Sequence, residues 1–235
     1  MPQPSERTAR LDGGDCIGLL LAGGRGRRIG AEKPMLMAPD GRSLAAIVAA
    51  AMDHAGLRVV VAGPGHVLPD RPHVGDLIPD AGPLAAIAAG LGLPGVSAIV
   101  AIPSDMPWLD GATIRRLLDC DPPTAAEGAT SAAAIAAFVD PAEPTRTLPL
   151  PARFSAALAP TARALLSEGR RAVHALHDAA AVHRVELAAD EAFRLEDVDT
   201  PAAWTEFVRT WNRADAPRRG CRDAAIRPSA RPQAG

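Results

Sequence analysis

"LLLAGGRGRRIGAEKPML", residues 19–36, decides how this chain is read. It opens as the end of an apolar run, 17–21, that reads as a buried strand cut off by glycines. Residues 24–30 then hold three glycines and three arginines, and Lys33 follows. Glycine reaches positive φ and lets backbone N–H groups approach an anion closely. Arg25, Arg27, Arg28 and Lys33 add cations suited to phosphate oxygens. Ligands of open parallel sheets bind at the carboxyl ends of the strands, and this loop begins at such an end. The stretch therefore predicts a polyphosphate-binding turn; the plainer alternative is a solvated basic surface turn.

Working outward, strand and helix signals alternate. Ser43 is placed to cap a helix running to about His54, ended by Gly56. "LRVVVAG", 57–63, is a second strand, and a helix starts at Pro83, where proline is tolerated in the first turn. A third strand is expected over 98–102, a helix over 113–118, and a further strand within "TSAAAIAAFVD", 130–140. Residues 151–169 read as helix material broken at Pro160, and 170–187 as a helix followed by a strand at 182–187. An extended segment then leads to a last helix from Pro201. This alternation predicts an α/β fold with a mostly parallel sheet covered on both faces. Residues 1–14 and 213–235 are polar and proline-containing without periodicity; they are expected to be disordered arms around one domain, 15–212.

The chain has 235 residues, with 25 basic and 27 acidic groups and a formal net charge of −2. Nothing in that balance suggests a nucleic-acid or membrane surface, so anion binding falls to a local cluster. Aromatics make up 3% and tyrosine is absent, so the core must be aliphatic. Cys16, Cys120 and Cys221 are far apart and odd in number, which fits a reducing cytoplasm and gives no metal-ligand spacing. No apolar run is long enough to span a bilayer. His174 and His177 are three apart on a helix with no third ligand in view, and read as surface residues.

"GRGRRIG" is a loose variant of the dinucleotide-binding fingerprint, yet the second strand ends "VVVAGPG" without the acid that would hold a ribose. The P-loop pattern is absent too. The longer string "LAGGRGRRIGAEK" is more specific. It resembles the L-A-G-G-x-x-x-R-M-G-x-D-K signature of the MobA-like nucleotidyltransferases, with Ile29 for the methionine and Glu32 for the aspartate. "DLIPDAGPLAAIAAGL" is similar to the family's D-x-x-P-x-x-G-P-L-x-G-I segment, with Ala86 for a glycine. "AIVAIPSDMPWLD" resembles the strand ending in C-D-M-P, and "LEDVDTPAAW" the late N-x-N-T-P or D-I-D-T-P-E-D-L element. The four matches fall in order from residue 17 to about 208.

The resemblance implies a Rossmann-like three-layer α/β/α domain of the nucleotide-diphospho-sugar transferase type. It implies Mg²⁺-dependent transfer of NMP from an NTP, GTP first, to a phosphorylated acceptor such as molybdopterin, with release of pyrophosphate. Arg28, Lys33 and Asp105 are the expected catalytic residues. Nucleotide binding is assigned to Leu21, Ala22, Gly23, Gly24, Arg25, Lys33, Asp76, Gly82, Pro83, Leu84 and Asp105. The backbone amides of Ala22, Gly23 and Gly24 are expected to face the base and phosphates.

Asp105 is the first choice for the metal, since Mg²⁺ prefers one or two carboxylates plus phosphate oxygens and water. Asp197 and Asp199 point the same way on an extended segment, and either complete the metal shell or contact the acceptor; Asp199 is equally suited to cap the last helix. Ala62 replaces a family asparagine, and the late motif carries aspartates, as in the branch that uses CTP. GTP and CTP thus both stand as substrates, as does another acceptor. The alternative from a different class is a non-catalytic nucleotide-binding protein that assists molybdoenzyme maturation, with protein partners from that pathway.

Overall fold

The computed structural model describes residues 15–23, 33–75, 82–120 and 134–211. The first strand, β1 (Asp15–Leu21), is buried on both faces. Ile17, Leu19 and Leu21 belong to one core, while Leu20 and Ala22 belong to another on the opposite side. Such a two-sided apolar strand must lie in the middle of a covered sheet, and β1 does. It pairs in parallel with β2 (Arg58–Ala62) on one side and with β4 (Val96–Pro103) on the other.

The remaining strands are β3 (His73–Val74), β5 (Ala134–Val139), β6 (Thr147–Ser155) and β7 (Ala181–Val185), and the sheet order is β3-β2-β1-β4-β6-β5-β7. All pairings are parallel except those of β6, which runs antiparallel to both β4 and β5. The helices are α1 (Leu44–His54), α2 (Pro83–Leu91), α3 (Gly111–Leu118), α4 (Ala159–Ser167), α5 (His174–Asp178) and α6 (Pro201–Thr210). Residues of α2, α4 and α5 fill the core on one face of the sheet, and those of α1 and α3 the core on the other. This is the three-layer α/β/α arrangement expected.

Local chemistry explains the helix starts. The Ser43 hydroxyl accepts the Ala46 N–H at 3.2 Å, and Asp110 caps α3 through the Thr113 N–H at 2.8 Å. Pro83 occupies the first turn of α2, where its missing N–H costs nothing.

One element differs from expectation. Residues 151–155 are strand, not helix: Ala152 and Phe154 are fully buried on one face, while Arg153 alternates to the other and donates to the Leu118 carbonyl at 2.9 Å. Period-two burial wins over helix propensity here. Pro160 does not break a helix; it sits in the first turn of α4. Residues 193–195, the start of the segment expected to be extended, instead end a 3₁₀ stretch, Ala189–Leu195. The predicted terminal arms, 1–14 and 213–235, lie outside the described residues. Among the described residues no helix is long and apolar enough to cross a membrane.

Burial pushes the Cys16 thiol up to about 11, against the opposing pull of Arg153, so it is a weak nucleophile.

Candidate functional site

The chain leaves β1 toward β2 and β3 in one direction and returns to β4 on the other side of β1. The strand order therefore reverses between β1 and β4, and their carboxyl ends form the switch point where such sheets bind ligands. The Ser104 N–H donates to the Leu21 carbonyl at 3.1 Å, and the Ala22 N–H to the Ala62 carbonyl at 2.9 Å. That second bond corrects the expectation for Ala22: its amide is committed to the sheet, and Gly23 is the first residue beyond the ladder. Gly63 makes this join possible. A Cβ there would stand 2.9 Å from the Ala22 carbonyl carbon, so β2 and the start of the loop approach too closely for any side chain. The sequence reading passed over Gly63 because its motif has no ligand role; "VVVAGPG" was the available signal.

Lys33 and Asp105 meet at this switch point. The Lys33 Nζ donates to Asp105 Oδ2 at 2.9 Å, and their side chains are 20% and 21% exposed. The pair joins the loop after β1 to the loop after β4 across 72 residues. Each charge compensates the other, and both remain open to a ligand that offers a better partner.

The late aspartates come to the same place. The Val198 N–H donates to the Asp105 carbonyl at 2.8 Å, which pins the segment of Asp197 and Asp199 beside Asp105. Partial desolvation, then the neighbouring charges of Asp199 and Asp105, raises the pKa of Asp197, with Lys33 opposing; the residue itself stays exposed. Asp199, Asp105, Lys33 and Glu196 thus all lie close enough to act on Asp197 at one rim. Thr200 caps α6 through the Ala203 N–H at 3.1 Å, which relieves Asp199 of the capping role foreseen as an alternative.

A small apolar cluster outside the two main cores holds these segments together. Ala38, Leu44, Ile47, Trp108, Val198, Phe207 and Trp211 are all buried in it. Trp108 and Phe207 meet edge to face with ring centroids 5.2 Å apart, and Phe207 and Trp211 at 5.0 Å. Ala38 follows Lys33, Trp108 follows Asp105, and Val198 lies between Asp197 and Asp199. Each site side chain therefore sits a few residues from an anchor in the same cluster. Sequence reasoning missed this role of the tryptophans, because their contacts lie far along the chain.

Gly82, Pro83 and Leu84 open α2, and Gly82 takes φ of 79°. The Leu84 side chain is fully buried in the core, so only its backbone is available at the rim. Among the described residues no hydrogen bond joins these three to Lys33 or Asp105. Gly24, Arg25, Arg28 and Asp76 lie outside the described residues. Among the described residues no group of three or more His, Cys, Asp or Glu side chains is gathered closely enough to hold a metal by itself.

Comparison with known proteins bears on the family and the fold. Residues 18–214 match the family model described as "MobA-like NTP transferase domain". The molybdenum cofactor guanylyltransferase of Xanthomonas euvesicatoria is 29% identical over 194 residues, covering 81% of this chain and 93% of that protein. The enzyme of the same name from Rhodobacter capsulatus is 35% identical over 116 residues, 45% of this chain and 58% of that protein. Molybdopterin-guanine dinucleotide biosynthesis protein A from Archaeoglobus fulgidus superposes with a TM-score of 0.63 at 19% identity, over 83% of this chain and 98% of that one. A CMP:2-keto-3-deoxy-manno-octonic acid synthetase solved with CTP superposes at 0.60 with 11% identity, over 85% and 99%; both likenesses concern the fold. The ordered motifs, the sheet topology and the matched span agree that the chain belongs to the MobA-like NTP transferase domain family, a family of nucleotidyltransferases.

Proposed function

We propose that the chain transfers GMP from GTP to a phosphorylated acceptor, molybdopterin, and releases pyrophosphate. The observation that carries this reading is the Lys33–Asp105 pair, 2.9 Å apart at the switch point of a MobA-like sheet. The names of the two guanylyltransferase relatives supply the choice of GTP and acceptor.

In the proposed reaction an acceptor phosphate oxygen attacks the α-phosphorus of GTP. The bond from that phosphorus to the bridging oxygen breaks, and pyrophosphate leaves with the electron pair. Such a displacement needs positioning and charge neutralisation more than covalent chemistry from the protein. The Lys33 ammonium turns from Asp105 to a phosphate oxygen and meets charge that grows on transfer. The glycine-rich turn, with Gly23, Gly24, Arg25 and Arg28, encloses the phosphates; Asp76 and the backbone of Gly82, Pro83 and Leu84 complete the nucleotide side.

The donor chemistry fits Mg²⁺, which takes one or two carboxylates and fills its shell with phosphate oxygens and water. Asp105 would hold it, with Asp197 and Asp199 as the further candidates. Partial desolvation and then the neighbouring carboxylates raise the pKa of Asp197, and a bound dication would oppose that shift. Bound there, Mg²⁺ would supply positive charge to the phosphate oxygens.

The test incubates the full chain with Mg²⁺, molybdopterin and each NTP in turn, and measures pyrophosphate. GTP is expected to support release. Release with CTP alone would move the chain to the cytidylyl branch, and no release with any NTP would overturn the proposal.

A further inference from the structure

We propose that the Arg194–Asp110 ion pair is a positioning clamp that fixes Asp197 against Asp105 and thereby sets how tightly the site holds a magnesium–nucleotide complex. The inference rests on the function proposed above. Arg194 lies three residues before Asp197, and Asp110 five residues after Asp105. Arg194 Nη1 donates to Asp110 Oδ2, a bond that joins the two carboxylate-bearing segments across 84 residues. The other oxygen of Asp110 accepts the Thr113 N–H at 2.8 Å and caps α3. The anchor is thus a rigid helix start rather than a loose loop.

The segment from 186 to 199 lies outside the sheet and buries only the side chains of Leu195 and Val198. Among the described residues, several ties hold it to the chain that follows β4, one of them from Arg116 Nη1 to the Glu186 carbonyl at 3.4 Å. Arg116 makes a bidentate pair with Glu191 at 3.0 and 2.8 Å, Arg194 pairs with Asp110, and the Val198 N–H bonds to the Asp105 carbonyl. Of the two ion pairs, Arg194–Asp110 is the nearer to Asp197. The Arg194 guanidinium also lies over the Phe193 ring, 5.2 Å from its centroid, and its Nε is buried without a partner. Keeping an unmet buried donor is unfavourable, and the fold keeps it where the guanidinium must reach Asp110. Groups that orient the residues of a metal site commonly govern affinity without touching the ligand.

The test uses three variants of the full chain. Asp110→Asn removes the charge but keeps the helix cap, since asparagine caps as well as aspartate. Arg194→Gln removes the partner charge, and Arg194→Lys restores it. Calorimetric titration of GTP at fixed Mg²⁺, without acceptor, reads affinity in the absence of turnover. Pyrophosphate release against Mg²⁺ concentration then separates metal requirement from kcat. Asp110→Asn and Arg194→Gln are each expected to weaken GTP binding about tenfold, with a matching rise in half-saturating Mg²⁺. At saturating Mg²⁺ kcat should stay within about twofold, the double variant should be no worse than either single one, and Arg194→Lys should recover most of the loss. Unchanged affinity in both charge-removing variants, or losses that multiply in the double variant, would overturn the clamp. Failure of the unaltered chain to bind GTP would instead remove the functional reading beneath it.

Discussion

Lys33 and Asp105 hold each other's charge, and removing either leaves its partner partly buried and uncompensated. If Lys33 also stabilises transition-state charge, Lys33→Ala should lower kcat by about 10²-fold while the chain still melts cooperatively. Steady-state kinetics and thermal melts decide this; a normal kcat would return Lys33 to an ordinary ion pair. Asp197 gives a prediction of opposite sense for stability. Its folded pKa is raised, so the folded state prefers the protonated carboxyl. The stabilisation is complete below the ordinary aspartate value of 3.8 and is lost as pH rises from there through the raised value. Near neutral pH, in metal-free buffer, Asp197→Asn should therefore raise Tm, and the gain should vanish in acid below that value. Lys33 and Asp105 were legible in the sequence because each follows an apolar strand within a short, ordered motif. Arg194, Asp110 and Val198 were not, because their roles depend on partners many tens of residues away.

At the scale of elements, α6 is anchored by the cluster of Trp108, Val198, Phe207 and Trp211. Phe207 is fully buried and touches tryptophan rings on three sides. Phe207→Ala should cost about 3–5 kcal/mol, the usual range for a large aromatic lost from a packed interior. Urea unfolding followed by tryptophan emission measures it directly, since all three tryptophans of the chain stand in or against this cluster. A loss below about 1 kcal/mol would show that α6 is held by other means. Most helices and parallel strands were readable from caps, glycine stops and apolar runs. β6 was not, since Pro149, Pro151 and an alanine-rich continuation mask its alternation. Only pairing with β4 and β5 shows that Ala152 and Phe154 share a face.

For the molecule as a whole, strand order explains why residues so distant act together. With β1 and β4 side by side and their connections running to opposite sides, Lys33, Asp105 and the returning segment of Asp197 meet at one rim of the sheet. The small α6 cluster lies apart from the two main cores and anchors these segments. The central claim is that Asp105, once released from Lys33, serves the transferred nucleotide. The most direct measurement is the rate of pyrophosphate release from GTP by Asp105→Asn, at saturating Mg²⁺ and acceptor, against the unaltered chain. The account predicts a fall of at least about 10²-fold with the fold intact; a rate within about threefold of the unaltered chain would contradict it.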